Sequence, residues 1–342
     1  MKFNEINWVN ACIGFGIDKA FLTKREGPCP ICEGTKRFRF NNKSGTGDWF
    51  CNRCRTGNGF TLIKQVTDMT DAEIFTRLRK EHGLTESPLA VKTNYAVVEE
   101  ELKPEEIATN RVRLVKVWKA TEPLRKADGP VEKYLSRRVL GCDLSRLSKH
   151  VRFHPALDYY EIGDDNRYHL RGRHPAMVCR VIDSHGTPIT LHRTYLTKDG
   201  KKALVEEPKM QMAGIRKLKG AAIHVFENPH SRVLGVCEGF ENGLGVATAY
   251  RYKMSVWSLL NAYNLSIADI PRDMFDEVII FADFDKYDAR RRYRPGEHYA
   301  KLLYQKLIKE GFKVRIKIPP REGVDFDNLW NEFYLMKTPQ AA

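Results

Sequence analysis

Two Cys-x2-Cys knuckles, Cys29 with Cys32 and Cys51 with Cys54, stand 18 residues apart in "CPICEGTKRFRFNNKSGTGDWFCNRC", and no other feature of the chain restricts its fold as tightly. Each knuckle brings two thiolates to one side of a tight turn, and two knuckles complete a tetrahedral site. Four protein ligands close the coordination sphere, so the spacing predicts structural Zn²⁺, a source of folding energy rather than of chemistry. The spacer suits a pair of strands, "RFRFNN" and "DWFCN". Eight cysteines in 342 residues are too few for a disulfide scaffold, and a redox-active pair is the weaker alternative. Cys12, Cys142, Cys179 and Cys237 sit singly among apolar neighbours, as small core residues do.

Basic and aromatic residues alternate inside and beyond the spacer: Arg37, Phe38, Arg39, Phe40, then Trp49, Phe50, Arg53 and Arg55. Such a surface can hold a phosphate backbone and stack bases. Alternatively, Phe38, Phe40 and Trp49 are the small core of the ribbon. The expectation is that some aromatics are core while Arg37, Arg39 and Arg53 face a nucleic acid. Downstream, "FTLIKQVTDMTDAEIFTRLRKEHG" has apolar positions at helical spacing, with Gly83 as a stop.

The far end of the chain shows a different rhythm. Apolar "RVLGVCEG", helix-like "ENGLGVATAYRYK", apolar "SVWSLLN" and "EVIIFADFD", helix-like "GEHYAKLLYQKLIKEG" and "FKVRIKIPP" follow one another. Short apolar strands with helical crossovers imply a mostly parallel sheet covered by helices. In such a sheet the loops after successive strands meet along one edge. Glu238 closes the first strand, Asp283 and Asp285 the third, and Asp325 and Asp327 follow the last. If the strands continue, each i, i+2 pair shares one face, and like charges so close need a cation. Oxygen donors of this kind suit Mg²⁺ or Mn²⁺.

Between these regions lies most of the positive charge. The whole chain carries a formal +14, and residues 111–230, with 24 Lys or Arg against 13 Asp or Glu, supply +11 of it. That balance favours a polyanionic partner. After the helix-like "RVRLVKVWKATEPL" this segment turns to strand-like "AMVCRVID", "PITLHRTYL" and "AIHVFE". Residues 86–110, acidic and with one aromatic, read as a linker whose charged end can open the next helix. There is no membrane-length apolar run and no secretion signal, so the expected location is the cytoplasm. No Gly-rich Lys-Ser/Thr phosphate loop occurs, which argues against a fused ATP-driven motor.

The residues around the cysteines, "CPICEGTKRFRFNN...GDWFCNRCRTGNGFTLI", resemble the N-terminal zinc ribbon of phage and satellite-phage DNA primases, where it helps select the template site. The order strand, Glu-Gly, helix, then strand, Asp-x-Asp resembles the Toprim domain of DnaG-type primases, type IA and II topoisomerases and some nucleases. That resemblance implies that Glu238, Asp283 and Asp285 hold divalent metal, with Glu238 able to move a proton. Asp325 and Asp327 match a further metal-associated pair of bacterial primases. Asn242, with Glu241 beside it, stands where many of those primases have Asp, which leaves open the number of metals and a substitute role for Glu241. The middle segment resembles the subdomain that precedes Toprim in DnaG-type primases, which implies template or nucleotide phosphate contacts for Arg173, Arg193 and Lys209, and more loosely Lys217 or Lys219. A solvated basic sheet face is the bland alternative.

The expected architecture is therefore a multidomain α+β and α/β chain. A four-cysteine zinc ribbon in 1–85 and a linker in 86–110 precede a basic α+β subdomain in 111–230. A Toprim α/β domain with a mostly parallel sheet in 231–320 and a tail carrying the last acid pair in 321–342 complete it. The expected function is a DNA primase of a phage or mobile element, making short oligoribonucleotides on single-stranded DNA from nucleoside triphosphates, with a helicase or other replication protein recruited in trans. A Toprim nuclease and a non-catalytic single-strand binder are the alternatives.

Overall fold

The computed structural model describes residues 2–32, 34, 37–51, 54–67, 69–84, 102–124, 128–162, 167–287 and 293–338. They fall into two compact units, broadly residues 1–100 and 101–342.

In the first unit, α1 (Trp8–Gly14) precedes a small antiparallel sheet of β1 (Phe38–Phe40), β2 (Trp49–Cys51) and β3 (Arg55–Gly57), followed by α2 (Gly59–Val66) and α3 (Asp71–His82). Strand alternation decides the ribbon's chemistry. Phe38, Phe40 and Trp49 all point inward and are buried with Trp8, Leu62 and Ile63, while Arg39 is exposed with its guanidinium 5.2 Å from the centre of the half-buried Phe50 ring. The stretch from Phe60 to Gly83 is two helices rather than one. The break at Thr67–Thr70 is set by a capping box in which Thr70 and Glu73 satisfy each other's backbone N–H, and α3 closes on Gly83 at φ 65°.

The second unit opens with α4 (Pro104–Lys119), so the last residues of the expected 86–110 linker are helical. Pro104 at the first position with Glu105 and Glu106 behind it is a favourable helix start. Residues 86–101 of that linker lie outside the described residues. Next come β4 (Glu122–Pro123), α5 (Pro130–Arg138), β5 (Val151–Ile162), β6 (Tyr168–Ile182), β7 (Pro188–Tyr195) and β8 (Lys209–Gln211), whose strands form one antiparallel sheet in the order β4-β5-β6-β7-β8.

A second sheet is built from β9 (Ile223–Phe226), β10 (Val233–Cys237), β11 (Ser255–Ser258), β12 (Glu277–Phe281) and β13 (Lys313–Lys317) in the order β13-β12-β10-β11-β9. Its crossovers are α6 (Phe240–Ala249), α7 (Ala262–Ser266) and α8 (Pro295–Lys309), and α9 (Phe326–Lys337) ends the chain. β10 to β13 run parallel and β9 pairs antiparallel at the edge, as a mostly parallel sheet with one reversed strand. Its central strands are mostly apolar and almost wholly buried, as helical cover on both faces requires, with Ser255 and Ser258 the buried polar residues of β11. α6 is buried along nearly its whole length. One of its sides meets α9, and Phe240 and Leu244 join Cys179, Val151 and Tyr134 in a core shared with the antiparallel sheet. No helix of the described residues is long and apolar enough to cross a membrane.

Candidate functional site

Two groups of possible metal ligands form. In the ribbon, Cys29, Cys32, Cys51 and Cys54 bring their sulfurs within 4.8 Å of one another, with Cys29 to Cys54 and Cys32 to Cys51 both at 3.9 Å. Zn–S bonds of about 2.3 Å in a tetrahedron place the sulfurs about 3.8 Å apart, so the cage fits Zn²⁺ as it stands. The neighbouring Cys51 thiol and burial push Cys29 up to about 11, and the Cys29 and Cys51 thiols push Cys54 up as well. Thiolates crowded together in this way need a cation to exist side by side.

The second group lies at the carboxyl ends of the parallel strands. Glu238 follows β10 directly and begins the approach to α6. Its neighbour strand β12 stops at Phe281, so Asp283 and Asp285 stand in the loop beyond it rather than on one face of a continued strand. The two acids are held separately. Asp285 accepts the backbone N–H of Gly296 at 2.7 Å, at the start of α8, while Arg294 donates to its carbonyl at 2.6 Å. A Cβ on Gly296 would come within 2.3 Å of the Asp283 carbonyl oxygen, so glycine is needed for the helix to start there. Asp283 accepts the Asn242 side-chain amide at 2.9 Å.

The last pair also departs from the shared-face expectation, because its residues start a helix. Asp325 is the N-cap of α9 and Asp327 lies in the first turn, fully buried and joined to Arg138 of α5. All five acids nevertheless converge. Burial, Glu238, Asp325, Asp285 and Asp327 together push the Asp283 carboxyl up to about 8. Burial raises Asp325 and Asp327 as well, the latter against the pull of Arg138. The acids are set more loosely than the thiols: among the described residues only the four cysteines bring three or more ligand atoms within 4.8 Å.

Glu241 is not a substitute for the missing Asp. It is 4% exposed and turned into the antiparallel sheet, where Tyr134 donates to one oxygen at 2.6 Å and Lys209 to the other at 2.7 Å. Burial alone would raise its pKa, but Lys209 and the two hydrogen bonds win and bring it down to about 2. Asn242, one residue on, reaches toward Asp283 instead.

The basic candidates do not gather in one place. Lys209, opposite Thr194 in register, is on the Glu241 side of the sheet. Arg193, one residue before Thr194, emerges on the other side, half-buried over the Tyr195 ring with its Nη1 donating to the Tyr195 hydroxyl at 3.0 Å, and burial lowers its pKa. Arg173 lies farther along β6, exposed and paired with Asp158 at 2.8 Å. Lys217 and Lys219 are exposed between β8 and β9. In the ribbon Arg37 is half-buried and Arg39 exposed, whereas Arg53 lies outside the described residues.

Sequence reading missed Tyr134, Arg138 and Lys202. The first two anchor Glu241 and Asp327, and Lys202 lies in the field of Lys209, Glu241, Arg138 and Asp327. Their distance along the chain from the acids hides them: Arg138 is 189 residues from Asp327.

Three stretches of the chain match family models. Residues 24–60 match the family described as the zinc-binding domain of primase-helicase, residues 233–333 the Toprim domain, and residues 108–224 a domain of unknown function. Among solved structures, the DnaG primase catalytic domain bound to ssDNA is 14% identical, with a TM-score of 0.43 over 66% of this chain and 76% of that one. The zinc-binding and RNA polymerase domains of the Aquifex aeolicus primase are 18% identical, with a TM-score of 0.41 over 90% of this chain and 75% of that one. The primase fragment of the bacteriophage T7 primase-helicase protein is 13% identical, with a TM-score of 0.36 over 91% of this chain and 96% of that one.

Proposed function

We propose that this chain, a Toprim protein of the primase kind with an N-terminal zinc ribbon, is a DNA primase that synthesises short oligoribonucleotides on single-stranded DNA. The observation that carries the reading is the convergence of Glu238, Asp283, Asp285, Asp325 and Asp327 at one edge of the parallel sheet, where Asp283 is pushed up to about 8 by burial and by the other four. An all-oxygen, surplus-negative centre fits Mg²⁺ or Mn²⁺. Glu238, Asp283 and Asp285 would hold the cation, with Asp325 and Asp327 behind them.

When bound, the cation supplies charge neutralisation for the triphosphate and for the leaving pyrophosphate. The rest falls to the chain. Glu238 would accept the proton of the attacking 3′-hydroxyl, and Lys209 with Lys202 would draw triphosphate charge toward the site. Arg138, joined to Asp327, opposes the effect of burial on that carboxyl. Phosphoryl transfer needs mainly positioning and charge compensation, so acids and cations without a nucleophilic side chain suffice. The ribbon, through Arg37, Arg39 and Arg53, and the basic segment, through Arg173, Arg193, Lys217 and Lys219, would hold the template. Replication of a phage or mobile element, with a helicase supplied in trans, is the setting that the ribbon's likeness to the zinc-binding domain of primase-helicase favours.

The test supplies single-stranded DNA, labelled ribonucleotides and Mg²⁺ or Mn²⁺. Wild type should make short oligomers, and Asp283→Ala plus Asp285→Ala should lose at least about 10³-fold of that rate. Absence of oligomers from wild type sinks the reading, and nicked plasmid in the same assay promotes a nuclease in its place.

A further inference from the structure

The antiparallel sheet carries a second concentration of positive charge on the side turned away from Glu241. Cys179 of β6 packs into the core shared with α5 and α6, so Arg180 beside it emerges on the opposite face. Arg152 of β5, in register with Val178, joins it there. Both guanidiniums lie over the ring of Trp118, from the last turn of α4, at 4.0 Å for Arg180 and 5.1 Å for Arg152.

The hydrogen-bonding capacity of this group is not used up. Arg152 gives one N–H to the Thr121 carbonyl at 2.8 Å, but its Nε is buried with no partner. So is Nδ1 of His150, in the turn just before β5, whose carbonyl accepts from the Arg180 backbone N–H at 2.9 Å and whose ring lies 6.0 Å from that of His224, with the Glu227 carboxylate near it. Among the described residues no carboxylate pairs with Arg152 or Arg180, and the charged group that acts on Arg180 is Arg152 itself. Two half-buried cations side by side repel one another unless an anion lies between or beside them. The exposed Lys119 and Lys149, next in sequence to Trp118 and His150, extend the positive surface.

We propose that Arg152 and Arg180, braced on Trp118, form an anion site for a phosphate ester on the face of the antiparallel sheet opposite the Lys209–Glu241 pair. Guanidinium forks match phosphate oxygens in pairs, which a lysine surface cannot do. The phosphate could belong to a single strand of nucleic acid or to a free nucleotide. In either case it is a different phosphate from any held at the acids. Arg193 also stands in register with Val178, so a strand gripped here would extend the proposed template path along the face from which Arg193 emerges. The site itself rests on charge and geometry and not on the primase reading.

The test measures binding of a labelled single-stranded oligonucleotide, a nucleoside triphosphate and inorganic phosphate to wild type, Arg180→Met and Arg152→Met. Methionine keeps apolar contact with Trp118 and removes the charge. For a strand, each lost contact should lower affinity about 3- to 10-fold at low salt and flatten the slope of log K against log salt by about 0.7. Loss confined to the strand assigns the phosphodiester, and loss confined to the triphosphate assigns a free nucleotide. Thermal unfolding with and without phosphate guards against misfolding: phosphate should raise the melting temperature of wild type and leave Arg180→Met unmoved. Variants that melt lower yet bind all three probes like wild type overturn the proposal, and leave the arginines as supports for Trp118. Primer synthesis enters neither measurement, so failure here and failure of the primase reading are separate results.

Discussion

The ribbon and the acid centre both collect ligand atoms for a cation, and they do so under opposite constraints. The four thiols come from one short stretch, Cys29 to Cys54, fit a tetrahedron without adjustment, and leave no open position. The acids come from separate places along the chain, stand farther apart, and are held by unlike partners: the start of α8 for Asp285, Asn242 for Asp283, Arg138 for Asp327. A closed site contributes to folding, whereas an open one keeps room for substrate at the cost of unrelieved repulsion. Surplus charge, more than ligand spacing, marks the centre where chemistry is expected.

Taking each cation away should have the largest effect, and an opposite one at the two sites. Removing Zn²⁺, or substituting Cys51→Ser, should unfold the first unit, since structural zinc contributes about 10–16 kcal/mol of apparent binding free energy in small domains. Protease digestion followed by mass spectrometry should show cleavage within residues 1–84 and protection of the sheets of the second unit. Withholding divalent cations from the acid centre should leave that unit folded. If the ribbon resists proteolysis without zinc, the four thiols are not a folding device.

Two substitutions of opposite sign come next. Glu241→Gln strips the charge from a buried pair with Lys209 and should cost about 2–4 kcal/mol. Because the folded pKa of Glu241 is lowered to about 2 from an ordinary 4.5, its contribution is complete above pH 4.5 and is lost as pH falls toward 2. Asp283→Asn should do the reverse without divalent cation. The folded carboxyl is raised to about 8, so its penalty is absent below its ordinary 3.8, grows as pH rises, and is complete above about 8. The variant should therefore melt several degrees above wild type at pH 8.5 and close to it at pH 4. Melting curves across pH that moved in the same direction for both variants would erase the distinction between a neutralised and an unneutralised carboxylate.

The same contrast explains what could be read from sequence. The ribbon's ligands and strands are local, and the alternation of Phe38, Arg39 and Phe40 already contains the answer that the aromatics go inward. The parallel sheet was legible from apolar runs and their crossovers, and with it the meeting of Glu238 with Asp283. The grouping of Arg173, Arg193 and Lys209 was not. A strand reverses its facing at every residue, so whether Arg193 shares a side with Lys209 depends on a register that sequence spacing does not supply. In the register formed, Thr194 is the residue opposite Lys209. Tyr134 and Arg138 lie beyond reach for a related reason: they meet Glu241 and Asp327 only through the packing of α5 against α6 and α9. The split between α2 and α3, by contrast, is local, because Thr70 and Glu73 form the capping box that starts α3.

The smallest of the expected effects is the most informative about the acid centre. Asn242, 6% exposed, donates to Asp283 and adds no charge of its own. In Asn242→Asp that hydrogen bond becomes a contact between two carboxylates, which have to share one proton or one cation. Without divalent cation the variant should lose about 1–2 kcal/mol at pH 8, and less at pH 5, where the pair holds a proton. With Mn²⁺ the extra carboxylate becomes a ligand, so calorimetric titration should show tighter binding, and the melting temperature should recover toward wild type. A variant equally stable in both conditions, binding Mn²⁺ no more tightly, would mean that charge at this position is indifferent to the cation. The acids would then be a buried polar network like that of Glu241, and the contrast between a closed thiol cage and an open carboxylate centre would lose its second term.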